Sequence, residues 1–374
     1  MEFIDLAAQQ KRIIEKIESN IKSVLNHGKF IMGPEIQNLE ENLAKYVGAR
    51  HAISCASGTD ALLMALMAYN IRPGDAVFTT PFTFIATAEV ITLLGATPVF
   101  VDVDPETFNI DPKKLENSIV RQKNSGTALN PKAVIPVDLF GLLADYESIE
   151  SIAHEHDLLI IEDGAQSFGA EYKGKKSCSF GSVACTSFFP AKPLGCYGDG
   201  GMCFTNDNSI AEILRSVRVH GQGNHKYENI RIGVNGRLDT LQAAILNAKF
   251  DIFPDEIERR QKVAKRYSDL LSTSPAFKVP HIPEGYKSAW AQYSVLAANE
   301  KQRSILQERL QKANIPTAIY YPKPLHLQKA FADLGYKKGD FPVSEDVASR
   351  IFSLPMHPYL TLEDQETIAA VLNQ

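Results

Sequence analysis

The sequence predicts an α/β protein that has a large domain with a mostly parallel sheet and a smaller α+β domain at the carboxyl terminus. The chain has 374 residues, of which 44% are hydrophobic, and this is enough for a large core and a second domain. Short, nearly all-apolar runs alternate with helical patterns, which is typical of strands buried on both faces of a parallel sheet. From about Phe250 the pattern changes to charged helical stretches.

The individual elements follow from these patterns. Four apolar runs in the first part predict strands at residues 76–80, 98–101, 133–137 and 158–161. Helical patterns lie between them, for example at 86–94 and 146–156. In the second part, the charged helices at 255–271 and 300–312 flank a strand-like run at 291–295. The change of pattern predicts domains at residues 1–250 and 251–374.

Polar residues follow several of the predicted strands. Asp102, Asp138 and the pair Glu162-Asp163 come at or after the ends of apolar runs. Ligands of open α/β sheets bind beyond the carboxyl ends of the strands, so we expect the ligand near these carboxylates. The segment Asp102-Val103-Asp104 also resembles a metal-binding glycosyltransferase motif, but a strand end followed by a turn is favoured because Pro105 comes next.

Composition excludes several function classes. The net charge of -5 argues against nucleic acid or an anionic membrane as the main partner. No apolar run approaches the ~18 residues of a membrane span, and the N-terminal residues 1–6 do not resemble a signal peptide, so we expect a cytoplasmic protein. The five cysteines form no CxxC pair, and His154 and His156 would point in different directions on a helix. We therefore expect no metal site.

Lys192 is the most informative residue. It lies between apolar residues in the segment 187–195, just before the glycine-rich run 198–201. Burial lowers the pKa of a lysine and makes its amine a usable nucleophile, and lysine is the residue that holds pyridoxal phosphate (PLP) as a Schiff base. Taken alone, the segment fits a solvated lysine on a loop better.

Three other segments support a cofactor site. Residues 54–62 place small hydroxyl residues and a glycine at a helix start, which fits a phosphate site or an ordinary N-cap. In residues 158–167, Asp163 could pair with a protonated pyridine nitrogen and Gln166 with a ring hydroxyl, or Asp163 could simply cap a turn. Residues 232–244 form a polar loop that runs into a helix, and the alternative explanation is a turn with an N-cap. Ser187 could add a hydroxyl to the phosphate site.

Five motifs in this order, SGTDAL, PFTFIAT, IIEDGAQSFGA, SFFPAKPLGCYGDGG and GVNGRLDTLQAA, resemble the PLP-dependent nucleotide-sugar aminotransferases of the DegT type. These are a branch of the aspartate aminotransferase (fold type I) superfamily. The resemblance runs from residues 3–6 to residues 353–358, and it implies a seven-stranded, mostly parallel sheet in the large domain. The chain is most similar to the subgroup that makes 3-amino sugars from UDP-linked 3-keto sugars, including 3-keto uronic acids of bacterial surface polysaccharides.

The resemblance implies a role for each matching residue. Lys192 matches the Schiff-base lysine that also carries a proton, Asp163 the pyridinium partner, and Gln166 the ring-hydroxyl contact. The other implied cofactor contacts are Gly58, Thr59 and Ser187 at the phosphate, Phe84 on the ring, and Asn235 from a partner subunit. Arg237, Tyr320 and Tyr321 match positions near the substrate. Tyr320-Tyr321-Pro322 stands where the subgroup often has His-Tyr-Pro.

These matches predict a homodimeric aminotransferase with shared active sites and glutamate as amino donor. Its product would enter lipopolysaccharide, O-antigen or other polysaccharide biosynthesis. Three alternatives stay open. The first is a 4-keto-sugar aminotransferase of the same family. The second is a sugar dehydratase of the same fold, although such relatives carry histidine at the position of Lys192. The third is a non-catalytic regulator with this fold.

Overall fold

The computed structural model describes residues 1–124, 126, 128–225 and 227–373. The helices in this part of the chain are α1 (Leu6–His27), α2 (Pro34–Val47), α3 (Gly58–Ala68), α4 (Ala86–Leu93), α5 (Pro112–Asn124), α6 (Tyr146–His156), α7 (Asn208–Val217), α8 (Thr240–Phe250), α9 (Phe253–Leu271), α10 (Glu300–Lys312), α11 (Pro342–Arg350) and α12 (Leu362–Leu372). The strands are β1 (His51–Cys55), β2 (Asp75–Thr79), β3 (Thr97–Phe100), β4 (Asn130–Ile135), β5 (Leu159–Asp163), β6 (Glu171–Tyr172), β7 (Lys175–Lys176), β8 (Val183–Ser187), β9 (Gly201–Thr205), β10 (Phe277–Lys278), β11 (Tyr286–Lys287), β12 (Tyr293–Ala297) and β13 (Ile351–Leu354).

A seven-stranded sheet organises the first part of the chain. Its strand order is β1-β9-β8-β5-β4-β2-β3. The neighbouring pairs from β8 to β3 are parallel, and β9 runs antiparallel to both β1 and β8. The predicted α/β fold with a mostly parallel, seven-stranded sheet is therefore confirmed.

Both faces of this sheet are buried, which explains why its strands are apolar throughout. Side chains that follow one another on a strand point to opposite faces. Phe78 and Ile160 belong to one core, which includes side chains of α2, α5, α6 and α8. Their neighbours Val77 and Ile161 belong to a second core, which includes side chains of α3, α4 and α7. The sheet thus holds helices on both sides, and the carboxyl ends of its strands are left for a ligand.

A smaller antiparallel sheet, β10-β12-β13, lies in the second part of the chain. It shares a core with α9, α10 and α12, in which Tyr267 and Tyr293 are fully buried. The short strand β11 pairs with β6, so the two parts of the chain also share a three-stranded sheet. The division into domains 1–250 and 251–374 stays a prediction.

Several sequence-based exclusions can be compared with the described residues. All five cysteines are free and buried. In the described ranges, no group of three or more His, Cys, Asp or Glu side chains could hold a metal ion. None of the helices described above is long and apolar enough to cross a membrane.

Candidate active site

A cavity of about 480 Å³ lies at the carboxyl ends of β5 and β8. All the predicted site residues except Asn235 and Arg237 line it, namely Gly58, Thr59, Phe84, Asp163, Gln166, Ser187, Lys192, Tyr320 and Tyr321. The residues come from widely separated parts of the sequence, and the sheet brings them together.

A larger surface groove of about 910 Å³ lies elsewhere and contains none of the predicted site residues. Carboxylates dominate its charged lining, as with Asp104, Glu116 and Glu147. None of the residues that the motifs single out lines this groove, so we place the chemistry in the smaller cavity.

The first turn of α3 forms one end of the cavity, and it approaches the end of β8 very closely. Ser57 caps the helix by accepting a hydrogen bond from the backbone N–H of Asp60 at 3.0 Å. A Cβ placed on Gly58 would lie 2.6 Å from Ser187 Cβ and 3.1 Å from Ser187 Oγ. Only glycine permits this approach. N–H groups in the first turn of a helix have no partner within the helix, so the glycine and the serine hydroxyl together suit a phosphate group.

Asp163, the last residue of β5, is 5% exposed and lies at the cavity wall. Its Oδ2 accepts a hydrogen bond from Thr87 Oγ1 at 2.8 Å and its Oδ1 accepts one from the backbone N–H of Ala165 at 3.2 Å. Burial raises the pKa of this carboxyl, although these hydrogen bonds and the charge of Lys192 oppose the rise. A buried carboxylate of this kind is stabilised by a cation in the cavity, and a protonated pyridine ring fits that need.

Lys192 opens into the same cavity. Its side chain keeps partial exposure to the cavity, but surrounding atoms shield the amine from bulk water. This burial lowers the pKa of Lys192, while the negative charge of Asp163 acts in the opposite direction. A lower pKa increases the fraction of neutral amine, which is the nucleophilic form.

The orientation of the Gln166 amide is fixed by its neighbours. Its Oε1 accepts a hydrogen bond from the backbone N–H of Phe140 at 2.9 Å, and its Nε2 donates to the hydroxyl of Tyr321 at 3.3 Å. Because the oxygen is engaged with the backbone, the nitrogen is the atom available to a ligand. Gln166 can therefore donate a hydrogen bond to an oxygen on a bound ring.

Aromatic side chains complete the cavity. Phe84 is 54% exposed, which is unusual for phenylalanine, and its ring lies 6.4 Å from the ring of Tyr321. An exposed aromatic face at a cavity suits stacking on a flat ring. Burial raises the pKa of both Tyr320 and Tyr321, so both phenols are neutral at physiological pH.

Asn235 and Arg237 do not line the cavity. Their loop is held near it, because the carbonyl of Gly236 accepts a hydrogen bond from the N–H of Ala56, just before the start of α3. Asn235 is exposed to solvent, and Arg237 Nε is buried without a hydrogen-bond partner among the described residues.

Sequence reasoning missed several residues of the site. Thr87 holds Asp163 and also contacts Thr83 Oγ1 at 3.1 Å. Both threonines belong to the motif PFTFIAT, and their spacing of four could have indicated a shared face. Phe140 offers a backbone group, which no pattern of side chains reveals. Gln292 also lines the cavity, and nothing in its sequence context marks it.

Of the strand-end carboxylates, only Asp163 faces the cavity, so the expectation for the other three is wrong. Asp102 instead holds the start of α11, where it accepts hydrogen bonds from Ser344 N at 2.9 Å and Ser344 Oγ at 2.7 Å. This agrees with the prediction of a strand end and turn at that segment. Asp138 and Glu162 are fully buried and bond to the protein interior. For Glu162 the reason is that neighbouring side chains on β5 point to opposite faces, and Asp163 takes the face that opens to the cavity.

The chain belongs to the DegT/DnrJ/EryC1/StrS aminotransferase family, and the sequence model of that family matches residues 11–373. Two curated relatives are similar over essentially their whole length. One is the UDP-2-acetamido-2-deoxy-3-oxo-D-glucuronate aminotransferase of Pseudomonas aeruginosa, with 50% identity over 100% of this chain and 99% of that protein. The other is a pleiotropic regulatory protein of Geobacillus stearothermophilus, with 43% identity over 98% of this chain and 95% of that protein.

Solved structures show the same fold. A DegT/DnrJ/EryC1/StrS aminotransferase from Brucella abortus is 51% identical, with a TM-score of 0.95 and coverage of 100% of this chain and 98% of that chain. The S. venezuelae protein DesV, solved in complex with a ketimine intermediate, is 33% identical, with a TM-score of 0.93 and coverage of 100% and 97%. The protein is thus an aminotransferase of this family.

Proposed function

We propose that this protein is a PLP-dependent aminotransferase that moves the amino group of glutamate to the C3 keto group of a UDP-linked 3-keto sugar. The observation that carries the proposal is the single cavity that collects Lys192, Asp163 and Gln166 beside the first turn of α3. A lysine, a buried carboxylate, an amide donor and an anion site in one cavity match the four parts of PLP that a protein must hold.

Each part of the cofactor has residues that would hold it. Gly58, Thr59 and Ser187 would bind the phosphate, together with Asn235 from a partner subunit. Asp163 would face the ring nitrogen and Gln166 the ring oxygen, while Phe84 would lie against the ring. PLP supplies an electron sink for the carbon that gains or loses the amino group.

The protein's own groups would orient the reactants and move the proton. The lowered pKa of Lys192 leaves its Nζ able to take a proton from the reacting carbon and to return it. Asp163 keeps its carboxylate fixed through Thr87 and Ala165, so the negative charge does not need to reorient during the reaction. Phe84 and Tyr321 line the same wall, and a ring bound against Phe84 would be shielded from water on that side.

Borohydride reduction followed by peptide mapping tests the cofactor proposal directly. The pyridoxyl group should be found on Lys192, because Lys192 is the lysine whose lowered pKa and cavity position fit the role. A label on another lysine would overturn the assignment. Lys249 is a useful internal comparison, since burial lowers its pKa to about 8 and yet it does not line this cavity.

We infer that two chains build each site in a homodimer. Asn235 and Arg237 lie outside the cavity of their own chain, although their family positions are those of cofactor and substrate contacts. Large apolar side chains are also exposed near the start of α2 and in the loop after α7, namely Phe30, Ile31, Met32, Tyr227, Ile230 and Ile232. Exposed apolar groups in such numbers support a protein interface.

We infer the sugar from the relatives and from Tyr320, which stands where the subgroup often has histidine. The 50% identical Pseudomonas protein acts on a UDP-linked 3-oxo-glucuronate by its name, which supports a UDP-3-keto substrate here. Tyr320 offers a hydrogen bond but no charge for a sugar carboxylate, whereas a histidine can be cationic. Arg237 would supply the cation. Incubation with glutamate and a panel of UDP- and dTDP-linked 3-keto and 4-keto sugars, with mass and NMR analysis of the products, identifies the substrate.

The proposed substrate indicates the pathway and the compartment of the enzyme. Nucleotide sugars of this kind feed lipopolysaccharide and O-antigen synthesis, and we propose a cytoplasmic enzyme at that step. The name of the Geobacillus relative, a pleiotropic regulatory protein, supports the regulator alternative. A pure regulator has no need for Lys192, Asp163 and Gln166 in one cavity, and a protein that binds PLP but aminates no sugar in the panel would favour that hypothesis.

A further inference from the structure

Four buried polar side chains form a continuous chain of contacts next to the candidate active site. Asp138 Oδ2 lies 2.8 Å from Ser167 Oγ, which lies 2.6 Å from Ser177 Oγ, which lies 3.2 Å from Glu162 Oε1. All four residues have no exposed surface. We call these residues the acid–serine chain.

Counting protons shows what this chain requires. It contains three contacts between oxygen atoms, two of them short and one at 3.2 Å, and each needs one hydrogen to be favourable. The two serine hydroxyls supply only one hydrogen each. The third must come from a carboxyl group. If both carboxyls were ionised, one contact would join two oxygens with no hydrogen between them, among side chains that have no exposed surface.

The groups around Asp138 and Glu162 also favour one proton on the pair. Among the described residues, the titratable groups that face the two acids are Tyr146, Cys178 and Tyr286. Burial raises the pKa of each of these groups, so they stay neutral and cannot compensate two negative charges. Burial likewise raises the pKa of both Glu162 and Asp138, which favours keeping one proton on the pair.

The hydrogen bonds around the two carboxyls place the proton on Asp138. Both oxygens of Glu162 accept backbone N–H groups, from Cys178 at 2.5 Å and from Phe180 at 2.9 Å. In Asp138, Oδ1 accepts from Ala144 N and from the hydroxyl of Tyr146, whereas the Oδ2 contact in the chain is with a hydroxyl. A proton on Oδ2 therefore displaces only the Ser167 hydroxyl, which can turn and donate to Ser177 instead.

We propose that Asp138 and Glu162 hold one proton between them at neutral pH, and that Asp138 is thereby a positioning residue for Asp163 and Gln166. The second half rests on the proposed function, because it assumes that these two residues hold the cofactor ring. Asp138 would donate to Ser167, Ser167 to Ser177, and Ser177 to the ionised Glu162.

Asp138 reaches the site through three connections. Its backbone N–H donates to the carbonyl of Asp163 at 3.1 Å. Its side chain contacts Ser167, the residue after Gln166. The bond from Ala144 N to its Oδ1, at 3.0 Å, closes the turn that presents the N–H of Phe140 to Gln166 Oε1. Both ends of the segment 163–167 are thus held by one residue.

A single shared proton also limits the negative charge that is buried beside Asp163. Glu162 is the chain neighbour of Asp163, and a further full negative charge in this buried region would oppose the ionisation of Asp163. One shared proton limits the buried charge of the pair to one.

Infrared spectroscopy of the apoprotein tests the shared proton without the cofactor. At neutral pH the native protein should show the carbonyl band of one buried protonated carboxyl group, and Asp138→Asn should lose it. Asp138→Asn should fold well, because an amide offers N–H in place of O–H and keeps a carbonyl for Ala144 and Tyr146. Glu162→Gln should be less stable, because its amide nitrogen meets the N–H of Cys178 or Phe180.

Stability against pH gives an independent readout with a definite sign. The folded state holds one more proton than the unfolded state above the ordinary carboxyl pKa of ~4. The folding equilibrium constant should therefore fall about tenfold per pH unit as pH rises toward the pKa of the pair. This contribution should vanish in Asp138→Asn and persist in Asp145→Asn, a matched change at the N-cap of α6.

The positioning role is tested separately in the PLP-loaded protein. Asp138→Ala should shift the cofactor absorption band and lower kcat by roughly 10- to 100-fold, with little change in KM, as expected for a small misplacement. Asp138→Asn should restore both. Absence of the infrared band from the native protein would overturn the shared proton, and a normal absorption band and kcat in Asp138→Ala would overturn the positioning role. If no PLP binds at all, the proposed function fails while the infrared result still decides the proton.

Discussion

The close approach of α3 to β8 makes Gly58→Ala a sharp test of the phosphate site. The added Cβ would lie 2.6 Å from Ser187 Cβ and 3.2 Å from Ser187 Cα, whereas ordinary contact begins at 3.4 Å. The helix start and the strand end must therefore separate by about 0.8 Å. Ser187 cannot easily yield, because its backbone is paired with Gly201 in the sheet and α3 also packs on β9.

The expected magnitudes follow from this displacement. Overpacking of this kind costs about 1–3 kcal/mol of folding stability. A phosphate that is held by both the helix turn and Ser187 would lose one set of contacts, since a hydrogen bond near ~2.9 Å does not survive lengthening by most of an ångström. Each charge-assisted bond contributes about 1.5–3 kcal/mol, so the affinity for PLP should fall roughly 10- to 100-fold.

A titration of apoprotein with PLP, followed by absorbance, measures the affinity, and thermal unfolding measures the stability. Ser57→Ala is the matched control, because it removes the cap bond to Asp60 N and costs about 1 kcal/mol without filling the gap. Its PLP affinity should change much less. Unchanged PLP affinity in Gly58→Ala would refute the phosphate site, and an equal loss in Ser57→Ala, whose serine also lines the cavity, would show that the space at Gly58 is not what controls binding.

Three further predictions test the catalytic groups, the dimer and the sugar. Asp163→Asn should lower turnover at least ~100-fold, because a neutral amide cannot pair with a protonated ring, and a near-normal rate in steady-state assays would remove Asp163 from the mechanism. Mixing inactive Lys192→Ala and Asn235→Ala chains should restore activity, since a heterodimer has one doubly damaged and one intact site; zero activity after demonstrated subunit exchange would reject shared sites. Tyr320→His should raise kcat/KM for a 3-keto uronic acid relative to its neutral counterpart, and a clear preference of the native protein for a 4-keto sugar would sink the C3 assignment.

The sequence predicts the fold well because the fold depends on repeated local patterns. The helices at 146–156 and 300–312 have the predicted bounds, and the strand predicted at 76–80 lies one residue earlier, at Asp75–Thr79. Buried parallel strands are apolar on both faces, which makes them easy to find and their ends hard to place. The strand predicted at 133–137 is in fact Asn130–Ile135, since its first residues are polar or half-exposed.

The candidate site is predictable only in part. Lys192 and Asp163 have informative local contexts, namely an apolar glycine-closed loop and the end of an apolar strand. The hydrogen bond from Thr87 to Asp163 joins residues 76 positions apart, and that from Phe140 to Gln166 uses a backbone group. Such contacts depend on how the strands are ordered in the sheet, and no local pattern contains that information.

Strand β5 shows how the fold gives two neighbouring carboxyls different tasks. Alternation of side chains sends Asp163 to the cavity and Glu162 to the core, where two backbone N–H groups bind it. A slip of one residue would exchange them and place the longer glutamate beside Lys192. The register is fixed where it matters, because Asp163 N donates to the Pro136 carbonyl at 2.9 Å and the Asp163 carbonyl accepts from Asp138 N at 3.1 Å. The ability of the cavity to hold a cationic ring therefore depends on the pairing of this strand end with the segment that follows β4.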